Sequence, residues 1–383
     1  MKKTLMVAAL TGVFATAAHA QSSVTLYGLI DAGITYTNNQ GGHSNWQETS
    51  GSVNGSRWGL RGSEDLGGGL KAIFTLENGF NIANGSLGQS GREFGRQAFV
   101  GLASDQFGSV TLGRQYDSAV DYLGPLALTG TGYGGTQFAH PFDNDNLDNS
   151  FRVNNSVKYQ SANYGGFKFG GLYGFSNDAG DFANNRAYSV GASYNYGGLN
   201  VAAAYLQLNN SIGALGSVTN ASGAVDGDNT LLAGRQRTFG AGLNYTFGPA
   251  TAGFVYTQTN LNNFAGISAG ASGVATTGVQ FANVTSGHFQ NFELNGRYQI
   301  TPAVSIAGAY TYTQSSIDGT NPKWNQFSLQ TAYSLSKRTD VYLQGEYQHV
   351  SQDGSGLNAD INSLAASGNN NQVAVTAGLR HRF

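Results

Sequence analysis

The feature that most constrains this chain is a residue-by-residue alternation between apolar and small polar side chains over segments about ten residues long. In 238–247, Phe239, Ala241, Leu243, Tyr245 and Phe247 share one face, while Thr238, Gly240, Gly242, Asn244 and Thr246 share the other. The segments 304–313 and 326–335 repeat the pattern. A period of two is a β-strand with unlike surroundings on its two faces. Ten residues is the length that carries a tilted strand across a bilayer core. One face suits lipid. The other is Gly, Ser, Thr, Asn and Gln, which suits water.

The pattern recurs in sixteen segments between residues 23 and 383, an even number. The connections alternate in character. Short ones lie at 65–69, 164–165, 248–249, 301–302 and 337–338. Long Gly/Asn/Ser/Asp-rich ones lie at 38–54, 82–90, 117–150, 176–184, 210–234, 263–286, 316–322 and 352–371. In an apolar solvent every backbone donor and acceptor needs a partner, and among sheets only a closed barrel leaves no open edge. The expected fold class is therefore all-β: a closed 16-stranded antiparallel transmembrane barrel.

Composition now has a cause. Of 383 residues 11% are charged, 56 are Gly, 20 Tyr and 22 Phe, yet mean hydropathy is −0.24. Two populations, lipid-facing and water-facing, average to a mildly polar chain. The absence of Cys excludes disulfides and thiolate metal sites. A formal net charge of −2 leaves no basic excess for nucleic acid.

Residues 1–20 read as a signal peptide: Lys2 and Lys3, an apolar stretch over 5–18, and Ala18-His19-Ala20 as the cleavage site. The expected organisation is a cleaved leader, 1–20, and one barrel, 21–383, exported across the inner membrane.

Several motifs are set aside. Gly130-x-Gly132-x-x-Gly135 neither follows a parallel strand nor opens a helix, so it is no dinucleotide loop. Asp143-x-Asp145-x-x-Asp148 lacks the central Gly and closing Glu of a calcium loop. None of His43, His140, His288, His349 and His381 lies beside a nucleophile motif, so no enzymatic role is expected. Asn220-Ala221-Ser222 fits a glycosylation sequon without further support.

The blocks SSVTLYGLIDAG (22–33), SRWGLRGSEDLGGGLKAIFTLENGF (56–80), GRQAFVGLASDQFGSVTLGRQYD (95–117), RVNNSVKYQS (152–161) and the closing GLRHRF resemble general diffusion porins of Gram-negative outer membranes, of the β-proteobacterial type. The resemblance covers the whole chain after the leader; its strand blocks are specific and its long loops are not. It implies a homotrimer in the outer membrane, in contact with lipid and lipopolysaccharide. Each protomer would be a water-filled pore for small hydrophilic solutes and ions, with no cofactor, narrowed by the third long loop folded inward. It also implies a basic ladder on the barrel wall, carried over to Arg57, Arg96 and Arg152. Arg61, on the face of Arg57, is a fourth candidate. Acids on the long loop would oppose them. Asp117 and Asp121 come first in that loop, ahead of Asp143, Asp145 and Asp148. The loop has no counterpart of the family's Pro-Glu-Phe-Gly-Gly-Asp tip, so the choice among these acids stays open. Glu77, on the lumen face with Thr75, and Asp31, with Thr25 and Tyr27, are expected to pair with the arginines. Alternative readings are a channel specific for one solute class, such as sugars or anions, and an adhesin or phage receptor on a non-conducting barrel. Aromatics that alternate mostly outward favour the general pore.

Overall fold

Alternation makes strands, but the turns decide which strands meet. The computed structural model describes residues 23–209, 223–225, 230–268, 279–281 and 286–383. The expected leader and the sequon at 220–222 lie outside the described residues. In chain order the strands are β1 (Ser23–Gln40), β2 (His43–Ser50), β3 (Arg57–Gly67), β4 (Leu70–Gly79), β5 (Gln97–Ser104), β6 (Gly108–Gln115), β7 (Val153–Gln160), β8 (Phe167–Gly174) and β9 (Arg186–Tyr196). They continue as β10 (Leu199–Asn209), β11 (Leu231–Phe247), β12 (Ala250–Ile267), β13 (Val279–Gln280), β14 (Ser286–Gln299), β15 (Val304–Ile317), β16 (Lys323–Ser334), β17 (Thr339–Ser351) and β18 (Asn371–Arg382). All pairings are antiparallel, and β1 closes on β18 in register from Leu29 opposite Arg382 to Thr37 opposite Ala374.

Two of these strands add no new stave. β2 and β3 both pair with β1 and together form its neighbour, broken at 51–56. β13 is a two-residue extension paired to the end of β12. The barrel therefore has sixteen staves. The expected loop 38–54 is in fact largely a hairpin of β1 and β2. Strand β5 begins at Gln97 rather than near residue 91, because the turn at Gln89–Gly91, with Ser90 left-handed at φ 61°, takes the chain off the wall.

The two faces are as unlike as the alternation requires. Leu26, Val100, Leu112, Leu243, Phe327 and Leu343 point outward and are exposed, while Thr35, Thr111, Thr238, Thr257, Gln344 and Thr376 point inward. At the closure, Gly28 and Phe383 exchange backbone hydrogen bonds of 3.0 and 3.1 Å. A Cβ at Gly28 would lie 2.3 Å from the Phe383 ring, so glycine is required where the last residue packs.

The lumen is not uniformly polar. At the outer ends of β12 to β17, Phe264, Phe289, Trp324, Ile317 and Val350 turn inward and bury one another around Phe142. Phe142 meets the edges of Trp324 and Phe289 at 5.8 and 6.4 Å. Phe142 belongs to the long segment 116–152, which runs inside the barrel. This segment first packs Ala119, Leu123 and Leu126 on Ala202, Ala204 and Val255. Gly191, Gly240 and Gly242 leave room there for Tyr122 and Leu123. It then crosses to the β17–β18 wall and returns past β14 and β12. The inner loop thus lines the wall from β9 round to β18, and open space remains beside β3 to β7.

Candidate functional site

That open space is a cavity of about 620 Å³. Arg57, Arg96, Arg152 and Tyr116 line it on the wall side, and Thr129, Gly130, Thr136, Leu147 and Asp148 on the loop side. The three arginines come from three different local structures. Arg57 is the first residue of β3. Arg96 precedes β5, with its amide still bonded to the Glu77 carbonyl at 3.1 Å. Arg152 precedes β7 at the end of the inner loop.

Their charges are not equally compensated. Arg96 Nε meets Glu77 Oε1 at 2.7 Å, and both side chains are nearly buried. Tyr116 holds this pair in place: its hydroxyl donates to Glu77 Oε1 at 2.8 Å and accepts from Arg96 Nη2 at 3.1 Å. Tyr27 donates to the other carboxylate oxygen at 2.9 Å. The guanidinium groups of Arg96 and Arg152 lie 6.0 Å from the Tyr116 ring centre, within cation–π range. Arg152 also donates to the Ser150 carbonyl at 3.1 Å. The Arg57 side chain, by contrast, makes no hydrogen bond or ion pair among the described residues. Arg61 lies further along β3, exposed, over the Tyr27 ring at 5.2 Å.

The acids fall into distinct places. Asp117 is fully buried at the base of the loop, where it accepts from the amide of Ala119 at 2.7 Å and from Asn146 Nδ2 at 2.7 Å. Burial outweighs these bonds and raises its carboxyl to about 6. It shapes the loop and does not line the cavity. Asp121 is ion-paired with Lys158 and borders a second cavity of about 640 Å³ with Tyr122, Lys168 and Asn200. It lies away from the three arginines. Asp148 is the loop acid that faces them. Its Oδ1 accepts from Thr129 Oγ1 at 3.1 Å and its Oδ2 from Asn362 Nδ2 at 3.4 Å. Burial and the neighbouring Asp143 hold its carboxyl well above the ordinary aspartate range. Asp31 pairs with no arginine; it binds backbone amides at 53 and 54 and the Tyr342 hydroxyl.

The fold and site now stand beside known proteins. A family model described as Gram-negative porin matches residues 5–355. An outer membrane porin protein of Bordetella pertussis is 36% identical over 100% of both chains. The chain belongs to the Gram-negative porin family. Among solved structures, this porin is similar to an anion-selective porin from Comamonas acidovorans, at TM-score 0.72 and 25% identity over 95% of this chain and 100% of that one. OmpT of Vibrio cholerae, in a trimer form, shares the fold at TM-score 0.63 and 16% identity over 94% and 99%. The protein is an outer-membrane porin, a channel of the Gram-negative envelope.

Two further groups position the site in this porin, and neither stands out in sequence. Arg114 donates to the Gly95 carbonyl at 2.8 Å and to Asn154 Oδ1 at 2.6 Å. It thereby staples the segment before Arg96 to the strand that follows Arg152. His140, at the back of the loop, is wholly buried between Asp145 Oδ2 at 2.6 Å and Glu293 Oε2 at 2.9 Å. Burial alone would strip its proton, but the two carboxylates outweigh burial and raise the imidazole to about 10. A charged imidazolium therefore pins the loop to β14. A buried His with acids far away in the chain has no local motif to reveal it.

Proposed function

We propose that this porin is a general diffusion channel that favours anions, and that its constriction lies between the Arg57, Arg96 and Arg152 wall and the inner loop. One observation carries the reading. Arg57 faces the cavity with no ion pair of its own, sharing only the field of Glu77 with Arg96, and the acid across from it, Asp148, is half-buried, hydrogen-bonded and raised toward its neutral form. Arg96 is offset by Glu77, so the wall keeps a positive excess. A ring of one sign in a narrow aqueous pore attracts the opposite ion and repels its own. The printed description of the similar Comamonas acidovorans protein as anion-selective agrees with this. Arg61, exposed on the same strand face, extends the positive path along the lumen. The acidic half of the constriction is assigned to Asp148 with Glu77, and Asp117 and Asp121 are assigned to loop architecture.

The working unit in this reading is a homotrimer, embedded in outer-membrane lipid and lipopolysaccharide and reached through an exported precursor cleaved after Ala20. Glu48 supports the trimer. It lies on the outer face of β2 opposite Ile34, near Trp46, both of which are more than half exposed. A carboxylate on a lipid-facing surface is costly, and a second copy of the chain covering this face removes the cost.

Reconstitution into planar bilayers tests the whole reading. Expected are three-step insertions, conductance linear in salt, and a zero-current potential of the anion-favouring sign. Absence of conductance steps would refute the channel. Saturating block by one solute at micromolar concentration would establish the substrate-specific alternative instead.

A further inference from the structure

The break in the second stave has a structure of its own. Between β2 and β3, residues 51–56 leave the wall, starting from Gly51 at φ +77°, and turn into the lumen. A segment off the wall has lost its ladder partners, and its backbone groups must find others. On one side the amides of Val53 and Asn54 both donate to Asp31 Oδ2, at 3.0 and 2.7 Å. On the other side the carbonyls of Ser52 and Val53 accept from the amides of Gln137 and Thr136 of the inner loop, each at 3.2 Å. The bulge is thus held by a carboxylate and itself holds the loop.

Both ends of this chain of contacts are tightly specified. Asp31 is fully buried, and its second oxygen accepts from the Tyr342 hydroxyl at 2.6 Å. Its side-chain contacts are all with donors, and among the described residues it makes no ion pair. An amide in its place would turn an NH₂ toward one of these donors. At the loop end, Gly135 has φ +70°, and a Cβ there would lie 1.6 Å from the Val53 carbonyl oxygen. Gln137 is then clasped by Gln344 Nε2 at 2.5 Å and Thr376 Oγ1 at 3.0 Å.

We propose that Asp31 is a positioning residue for permeation: through the bulge 51–56 it latches the tip of the inner loop and so sets the width and steadiness of the constriction. The inference rests on the reading that this loop narrows the pore. An unlatched loop samples positions across the lumen, and the current through a folded channel records those excursions. A carboxylate that served folding alone would lower thermal stability and leave the folded channel quiet.

The test uses the full-length porin in planar bilayers, with folding checked by heat-modifiable mobility on gels. Asp31→Asn keeps the shape and replaces one of the two acceptor oxygens by a donor; Gly135→Ala breaks the same contact from the loop side. Both are expected to give roughly twofold greater open-channel noise and a higher mean conductance. Should Asp31→Asn not assemble, Tyr342→Phe, which removes a single hydroxyl, is expected to give a smaller increase of the same kind. A deletion of 130–135 separates the two ideas. If the deletion raises conductance while the point variants stay quiet at wild-type conductance, the latch is refuted and the loop reading stands. If the deletion leaves conductance unchanged, the loop does not narrow the pore.

Discussion

Removing the charge of Arg57 is expected to cost this porin much of the anion preference proposed for it, without harming its fold. The side chain lines the cavity and makes no hydrogen bond or ion pair among the described residues, and the buried Glu77, which shares its field, keeps the direct bond to Arg96 when it is lost. An ion passing about 5 Å from the guanidinium in water-like surroundings feels about 0.8 kcal/mol, reduced to about 0.5 kcal/mol by screening near 0.1 M salt. Anion and cation move in opposite directions. Arg57→Ala therefore shifts the anion-to-cation permeability ratio by about 1 kcal/mol, or roughly fivefold, and Arg57→Glu by about twice that energy, or roughly thirtyfold. The assay is the zero-current potential across a salt gradient, repeated at 1 M salt, where a Debye length of about 3 Å shrinks the difference. A potential unchanged from wild type at low salt would refute the reasoning. It would mean that permeating ions do not pass the β3 wall.

Other expectations follow from the same geometry. Glu77→Gln removes the charge that offsets Arg96 and should raise the anion-to-cation ratio by about fivefold, read by the same potential. His140→Ala leaves Asp145 and Glu293 buried without their shared cation; the expected loss is about 3–5 kcal/mol in detergent unfolding experiments. The loop acids set a pH dependence. Asp117 and Asp143, each raised to about 6, bind protons in the folded state that the unfolded chain releases down to its ordinary value of 3.8. Stability should therefore rise as pH falls from 7.5 to 5, seen as a higher urea midpoint, and a falling midpoint would contradict the assignment. The His140 contribution has the same sign in a higher window: complete below its unfolded value of 6.5 and lost as pH rises through about 10.

Much of the barrel is legible in the chain because lipid imposes its rule on every strand separately. The alternation in 238–247 needs no knowledge of neighbours, and even the long loop's inward path is implied once the family blocks are recognised. The stave broken at 51–56 is not legible, since the segment resembles any Gly/Ser/Asn turn until Asp31 and Thr136 are brought beside it. The arginines could be placed because they sit in strand-linked blocks that resemble the family's. The acids could not, because their roles depend on contacts between distant parts of the chain. Asp148 is distinguished from Asp117 by Asn362, more than two hundred residues away. Asp31 shares a strand face with Tyr27 and was expected beside the arginines, yet the inward bulge supplies it with backbone amides first. The apolar cluster around Trp324 escapes for the same reason. Period two places that residue on the lumen face but does not show that Phe142 arrives from the loop to cover it.

The most direct test of the central claim is the zero-current potential of the unmodified porin in a steep KCl gradient at neutral pH. An unpaired Arg57 beside Arg96 and Arg152, facing an Asp148 held toward its neutral form, predicts the anion-favouring sign. A cation-favouring sign would contradict the account, because it would require the loop acids, and not the wall arginines, to govern the constriction.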